Sequence, residues 1–141
     1  MKIILIFLCF SIFILAGNTL DNKELLGTTA LKMQNYGALI IDVRTSEEFQ
    51  LSHVDNSILI PAWILINGQR QWSNLFVPII ERLRIKYPKQ AFIFICKSGN
   101  RSKFVVGILE MNNINNIYHI HHGYSTSKYN DDWVDLGLPT K

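Results

Sequence analysis

One segment constrains the fold of this chain more than any other. It consists of a short apolar run, a polar stretch that follows it, and a second stretch in which apolar residues recur at regular spacing. Ala91 to Ile95 are five consecutive apolar residues, and they lead directly into Cys96. Residues 97–102 read Lys-Ser-Gly-Asn-Arg-Ser, and apolar residues recur at helical spacing over 105–111. A short apolar run favours a buried strand. The segment therefore predicts a strand, a loop and a helix in that order.

The same alternation of strands and helices extends along the chain. Strands are predicted over 38–43, 57–60, 91–95 and 117–120. Helices are predicted to begin near Thr45, Phe76, Ser102 and Tyr129. The polar stretch 67–73 predicts a loop, and Thr45 and Glu48 have the spacing of a capping box. Strands separated by helices predict an α/β fold with a mostly parallel central sheet flanked by helices on both faces.

The N-terminal segment is set apart from this pattern. Residues 3–16 are apolar apart from Cys9 and Ser11, which is too short a run for the roughly 20 residues of a membrane span and is typical of a signal peptide. Residues 1–17 are therefore predicted to be a signal peptide, and 18–141 a single domain of an exported, periplasmic protein. Ile14 or Leu15 stands where the cleavage site prefers a small residue, so retention as an N-terminal membrane anchor is the alternative.

The number of cysteines limits the roles that Cys96 can have. The chain has 2 Cys, and loss of the N-terminal segment removes Cys9 and leaves Cys96 alone. A lone cysteine forms no internal disulfide, so Cys96 is either an inert buried residue or a reactive thiol. The polar loop that follows favours the reactive thiol. A net charge of +3 without a basic run argues against nucleic-acid binding.

The loop after Cys96 has the residues that stabilise an anion. A thiol reacts as its thiolate, which needs a positive environment at neutral pH. Loop amides and the start of a helix supply partial positive charge, and Gly99 lets those amides converge by adopting positive φ. Lys97 and Arg101 add full charges. The loop is therefore predicted to hold an anionic sulfur and to attract an anionic substrate.

Several ordered motifs resemble those of the single-domain rhodanese family. Residues 96–102 match its active-site pattern C-x-x-G-x-R-S at every fixed position, and 137–139 match its usual Gly-Leu-Pro ending. The first half is similar too, with Ile-Asp-Val-Arg at 41–44, Glu-Glu-Phe at 47–49, His53 and Ile-Pro at 60–61. The resemblance covers roughly Leu25 to Pro139.

The resemblance implies a rhodanese fold and sulfurtransferase activity of the thiosulfate type. Cys96 is then the nucleophile that carries a sulfane sulfur as a persulfide. Lys97 recruits thiosulfate or polysulfide, and Arg101 stabilises either the loop or the anion. The residues expected to cradle the persulfide and the substrate are Lys97, Ser98, Gly99, Asn100, Arg101 and Ser102.

The resemblance further assigns structural support to Asp42, Arg44 and His53. It implies no cofactor and no metal. The expected partners are a small anionic sulfur donor and a thiophilic acceptor, which is cyanide, a thiol or a protein thiol. A monomer is expected.

Three other hypotheses remain open at this point. A phosphatase or arsenate reductase on the same fold is disfavoured, because its loop is one residue longer than the four residues between Cys96 and Arg101. A persulfide carrier or sulfur-sensing module without turnover would have the same loop. A metal site at His119, His121 and His122 is disfavoured, because His122 should point away from the other two.

Overall fold

The computed structural model describes residues 22–141. The predicted boundary at residue 17 and Cys9 both lie outside these residues. Within 22–141, no helix is both long enough and apolar enough to cross a membrane.

The protein is built on five parallel strands in the order β1-β7-β6-β2-β3, with a separate two-stranded hairpin formed by β4 and β5. This confirms the predicted α/β class with its mostly parallel sheet. The elements are β1 (Glu24–Leu25), α1 (Gly27–Asn35), β2 (Leu39–Asp42), α2 (Ser46–Leu51), β3 (Ile58–Leu59), β4 (Trp63–Ile66), β5 (Gln69–Trp72), α3 (Phe76–Lys86), β6 (Phe92–Ile95), α4 (Asn100–Met111) and β7 (Ile117–Ile120).

The central strands are apolar on both faces because both faces are covered. In β6, Phe92 and Phe94 pack on one side with α3 and α4, whereas Ile93 and Ile95 pack on the other side with Ala30 of α1. Successive side chains of a strand point to opposite faces, so one short apolar run contributes to two cores. Cys96 continues this alternation and lies on the α3 and α4 side.

The predicted capping box at the start of α2 is present. The Thr45 side chain accepts a hydrogen bond from the Glu48 backbone amide, and the Glu48 carboxylate accepts one from the Thr45 amide. Two of the otherwise unpaired amides of the helix start are satisfied in this way. The box also holds the Glu48 side chain in a fixed position.

The prediction of a loop over 67–73 is wrong. β4 and β5 pair in antiparallel register across a two-residue turn at Asn67-Gly68. Both turn residues have positive φ, 52° and 76°, which is the conformation that Asn-Gly favours in tight hairpins. The Asn-Gly pair could have predicted a hairpin. The polar sequence of β5 instead favoured the prediction of a loop.

Two further predictions differ from the structure, and one helix was not predicted. α4 begins at Asn100, earlier than the predicted Ser102, because Gly99 adopts a left-handed conformation and turns the chain directly into the helix. α1 was not predicted, and its N-cap residue Leu26 makes no side-chain cap. The predicted C-terminal helix is a series of turns, because the amides of Trp133 and Val134 donate to carbonyls of residues 123 and 124 instead of to a helix.

Candidate active site

Cys96 lies at the carboxyl end of β6, immediately before the loop that leads into α4. It is 0% exposed and packs within the core on the α3 and α4 side. Ligands in open parallel sheets bind beyond this end of the strands. The residues that follow it in the loop, Lys97 and Ser98, are exposed.

Hydrogen-bond donors converge on the sulfur. The backbone amides of Gly99 and Ser102 lie 3.1 Å and 3.4 Å from Cys96 Sγ, and the Ser102 hydroxyl lies 3.5 Å away. The same hydroxyl donates to the Gly99 carbonyl at 3.0 Å. An inert core cysteine has no need of such donors, whereas a sulfur that carries negative charge is stabilised by them.

The loop closes tightly because two glycines have no side chains. Gly99 has a φ of 90°, and a Cβ there would lie 1.8 Å from the carbonyl oxygen of His121. Gly123 has a φ of 72°, and a Cβ there would lie 2.6 Å from the carbonyl oxygen of Cys96. Only glycine satisfies both the backbone conformation and the space at these positions.

The segment after β7 holds the cysteine loop through backbone hydrogen bonds. The Tyr124 amide donates to the Cys96 carbonyl at 2.8 Å, and the Ser125 amide donates to the Lys97 carbonyl at 3.1 Å. These bonds direct the carbonyls of the loop away from the sulfur. The amides of Gly99 and Ser102 are left on the sulfur side, which is the polarity that an anion needs.

Arg101 is anchored to α2 by a two-pronged ion pair with Glu48. Arg101 Nη1 and Nη2 donate to Glu48 Oε2 and Oε1 at 3.0 Å and 2.8 Å. Hydrogen bonding to Arg101 lowers the pKa of the Glu48 carboxyl from 4.5 to about 2, and the same bond raises the pKa of Arg101. Both groups are therefore charged over the whole physiological range. This geometry favours loop stabilisation over anion binding, the two roles left open by the sequence.

A second ion pair lies beneath the site. Arg44 Nε contacts both carboxylate oxygens of Asp42 at 3.0 Å, and Arg44 Nη2 donates to Asp42 Oδ2 at 2.8 Å and to the Ser52 carbonyl at 2.8 Å. The guanidinium stacks 4.2 Å from the ring centre of Tyr124, whose hydroxyl hydrogen-bonds Ser52. This buried network links the ends of β2 and α2 to the segment that supports the cysteine loop.

His53 is held in place by local contacts. Its Nδ1 lies 2.8 Å from the carbonyl of Phe49, and its ring stacks on the Phe49 ring at 3.7 Å. Its backbone pairs with Lys141 at the C-terminal end of the chain. These contacts suit the predicted supporting role.

The sequence contains a family signature over most of its length. A model of the Rhodanese-like domain matches residues 26–128, which span the sheet, the cysteine loop and the segment that supports it.

The chain belongs to the rhodanese-like domain family.

Its relatives are distant. An uncharacterised protein of Rickettsia prowazekii is 27% identical over 109 residues, covering 74% of this chain and 84% of that protein. The crystal structure of Rv0390 from M. tuberculosis superimposes with a TM-score of 0.66 at 22% identity, covering 84% of this chain and 96% of that one. A Rhodopseudomonas palustris protein of unknown function, described as a possible tyrosine phosphatase, gives 0.57 at 19% identity, covering 84% and 83%. These structural likenesses establish the rhodanese-like fold.

The other predicted site residues of the cysteine loop are exposed to solvent. The side chains of Lys97, Ser98 and Asn100 are exposed around the position of Cys96. Lys97 makes no side-chain hydrogen bond or ion pair to any residue of 22–141, so its ammonium group is available to contact a ligand that approaches the cysteine loop. The sequence does not reveal the roles of Gly123, Tyr124 and Ser125. The amides of Tyr124 and Ser125 bond the loop carbonyls, the Tyr124 ring also stacks on Arg44, and Gly123 leaves room for the loop.

The histidines at 119–122 interact with acidic residues. His119 Nε2 and His121 Nδ1 lie 3.6 Å and 3.1 Å from the carboxylate of Glu24, whereas His122 pairs with Asp131. Within residues 22–141 no group of three or more His, Cys, Asp or Glu side chains has the arrangement of a metal site. Each of the three histidines therefore lies beside an acidic side chain.

Proposed function

We propose that this protein is a sulfurtransferase that moves sulfane sulfur through a persulfide on Cys96. The observation that carries the proposal is the convergence of the Gly99 and Ser102 amides on Cys96 Sγ, at 3.1 Å and 3.4 Å. These donors stabilise the Cys96 thiolate, which is the nucleophile of the reaction. Membership of a family that includes sulfurtransferases supports the same chemistry.

The proposed reaction has two balanced steps. The Cys96 thiolate attacks the outer sulfur of thiosulfate, a sulfur–sulfur bond forms, and the donor's own sulfur–sulfur bond breaks to release sulfite. A nucleophilic acceptor such as cyanide then attacks the terminal sulfur of the persulfide, which releases thiocyanate and regenerates the thiolate. Polysulfide is the alternative donor, and a thiol or protein thiol the alternative acceptor. The exposed Lys97 recruits the anionic donor, and no cofactor takes part.

The test is the intact mass of the full chain after incubation with excess thiosulfate or polysulfide. The wild type is expected to gain one sulfur atom, and cyanide or a thiol is expected to remove it. Cys96→Ser is nearly isosteric and is expected to gain none. Cys9→Ser is the matched control and should gain sulfur as the wild type does. Sulfur uptake by Cys96→Ser, or none by the wild type from either donor, would overturn the proposal.

A persulfide carrier or sulfur-sensing module without turnover is the second candidate, and the complete burial of Cys96 favours it. A buried sulfur exchanges slowly with small molecules unless a partner opens the loop. Steady-state thiocyanate production from thiosulfate and cyanide separates the two. Many turnovers per protein support the enzyme, whereas a single stoichiometric transfer supports the carrier.

We further propose that the protein is exported to the periplasm by residues 1–17 and acts there as a monomer. The apolar composition of residues 3–16 supports export. Cell fractionation of the expressed full chain tests the location, and recovery in the cytosol would contradict it. Sedimentation of the purified chain tests the oligomeric state.

A further inference from the structure

A cavity lies directly beside the cysteine loop, on the side of β1 and β7. It has a volume of about 440 Å³ and is bordered by the loop, the first turn of α4, the strands β1 and β7, and the segment that follows β7. Lys97, which is proposed to recruit the donor, does not border it. We call this cavity the flanking pocket. Its volume suits a small organic molecule and far exceeds that of a thiosulfate ion.

One residue of the cysteine loop contacts both the sulfur and the flanking pocket. Gly99 borders the pocket, and its amide lies 3.1 Å from Cys96 Sγ. Ser98 and Asn100, on either side of Gly99, also border the pocket and are exposed. A molecule in the flanking pocket therefore lies against the segment of chain that holds the sulfur.

The charges of the flanking pocket favour an anionic ligand. Its border contains the lysines Lys103 and Lys128 and a single carboxylate, that of Glu24. Glu24 is already paired with Lys103 at 3.2 Å and with His121 at 3.1 Å. Lys128 makes no ion pair within residues 22–141, and its ammonium lies 5.0 Å from the ring centre of Tyr129. The ammonium of Lys128 is therefore available to a carboxylate of the ligand.

The segment after β7 gives the flanking pocket a wall of stacked rings. The His122 ring stacks on the Tyr129 ring with centres 3.8 Å apart and an interplanar angle of 9°, and it lies 3.9 Å from the His121 ring. A hydrogen bond between His122 Nδ1 and the Asp131 carboxylate fixes the stack. Ring faces contact the carbon atoms of a ligand, and ring nitrogens form hydrogen bonds with its polar groups. The wall suits an organic anion better than a bare inorganic ion.

We propose that the flanking pocket binds a small organic thiol that carries a carboxylate, and that this thiol accepts the sulfur. The assignment of the acceptor rests on the proposed sulfur transfer. Lys128 binds the carboxylate, and the stacked rings contact the carbon framework. The acceptor gives its proton to water, and its thiolate attacks the outer sulfur of the Cys96 persulfide. A new sulfur–sulfur bond forms, the bond to Cys96 breaks to restore the thiolate, and the acceptor leaves as a persulfide.

The first test measures binding without sulfur transfer. The probe is N-acetyl-S-methylcysteine, which has the carboxylate but no thiol, and its uncharged counterpart is N-acetyl-S-methylcysteinamide. Binding to the full chain is followed by the backbone amide resonances of residues 98–100. Lys128→Ala removes the proposed carboxylate ligand. Lys86→Ala is the matched control, because Lys86 is also an exposed lysine over a tyrosine ring, 5.3 Å from the centre of Tyr87, and it does not border the flanking pocket.

The carboxylate probe is expected to shift these amide resonances in the wild type and in Lys86→Ala with the same Kd. Lys128→Ala is expected to raise that Kd by about fivefold, and the uncharged counterpart is expected to bind weakly to all three proteins. Equal binding of the two probes, or an equal loss in Lys86→Ala, would overturn the proposal. Competition by thiosulfate is measured on Cys96→Ser, which cannot take up sulfur. Displacement of the probe by an equal concentration of thiosulfate would assign the pocket to the donor instead.

The second test measures transfer from the loaded protein. After Cys96 has gained sulfur, discharge to N-acetylcysteine below saturation is expected to be about fivefold slower in Lys128→Ala, and discharge to N-acetylcysteinamide to be unchanged. An equal effect on both acceptors, or no effect on either, would overturn the assignment of the acceptor. A wild type that gains no sulfur would overturn the proposed function and the acceptor with it, whereas the binding test decides separately whether the pocket takes a carboxylate.

Discussion

Arg101 of the cysteine loop and Glu48 of α2 meet side by side, 53 residues apart in sequence, through two hydrogen bonds of 3.0 Å and 2.8 Å. The capping box fixes Glu48 at the same time, because Glu48 Oε2 also accepts the Thr45 amide at 3.0 Å. One carboxylate therefore starts α2 and holds the first turn of α4. A pair of this geometry gives orientation as well as attraction.

Replacing Glu48→Gln is expected to loosen the cysteine loop. The amide keeps the size of the carboxylate but cannot accept both guanidinium bonds, and it leaves Arg101 without its counter-charge. We expect a loss of about 1–2 kcal/mol in the free energy of unfolding and a lower kcat/KM for sulfur transfer. Urea unfolding and steady-state kinetics measure the two effects. Glu81→Gln, at an exposed position on α3, is the control and should change neither.

The same pair predicts how stability depends on pH. The pKa of Glu48 is about 2 in the folded protein against 4.5 when unpaired. Its contribution is therefore fully present above pH 4.5 and is lost progressively as the pH falls towards 2. Because Glu48 retains contact with solvent, we expect a contribution of about 1–2 kcal/mol. Unfolding measured between pH 6 and 2 should show a shallower decline for Glu48→Gln, and parallel curves would contradict this prediction.

Gly99→Ala is expected to disrupt the site. A methyl group there meets the His121 carbonyl at 1.8 Å and strains a backbone with a φ of 90°. We expect a destabilisation of at least about 2 kcal/mol and loss of persulfide formation, since the Gly99 amide must leave the sulfur. Gly107→Ala, in the same region of chain but with open space around it, should raise stability by up to about 1 kcal/mol and leave activity intact. Thermal unfolding and intact mass measure both variants.

Lys97→Ala is expected to weaken donor recruitment. Its exposed ammonium attracts an anion without contacting the sulfur, so KM for thiosulfate should rise by about fivefold, the equivalent of about 1 kcal/mol, with a smaller change in kcat. The effect should shrink at high salt. Lys89→Ala removes an exposed lysine beyond the opposite end of β6 and serves as the control. A fall in kcat at unchanged KM would remove Lys97 from recruitment.

The parts of this site that were predictable are local. A buried strand entering a polar loop with one glycine is visible in residues 91–102, and the capping box is visible in residues 45–48. The Arg101–Glu48 pair depends on two helices meeting in space, so the sequence left the role of Arg101 open. Tyr124 and Ser125 support the cysteine loop through backbone amides. Almost every residue has such an amide, so no side-chain pattern in the sequence predicts these bonds.

Errors in the fold have the same physical origin. The hairpin at 63–72 was missed because β5 carries Gln69, Arg70 and Gln71, which lie on an exposed two-stranded sheet and need no apolar alternation. The C-terminal segment has helical spacing of apolar residues, but its amides pair with the chain that follows β7. In both segments, long-range backbone hydrogen bonding determined the secondary structure.

The hydrogen bonds from Tyr124 and Ser125 to the loop carbonyls affect the rate expected for the proposed sulfur transfer. Folding has already oriented these dipoles, so they need not rearrange when a sulfur atom is gained or lost. Water around a free thiolate must reorient at each transfer, and that reorganisation energy forms part of the barrier. In the proposed reaction the polar surroundings of the charge are built once, during folding, and serve each transfer of sulfur.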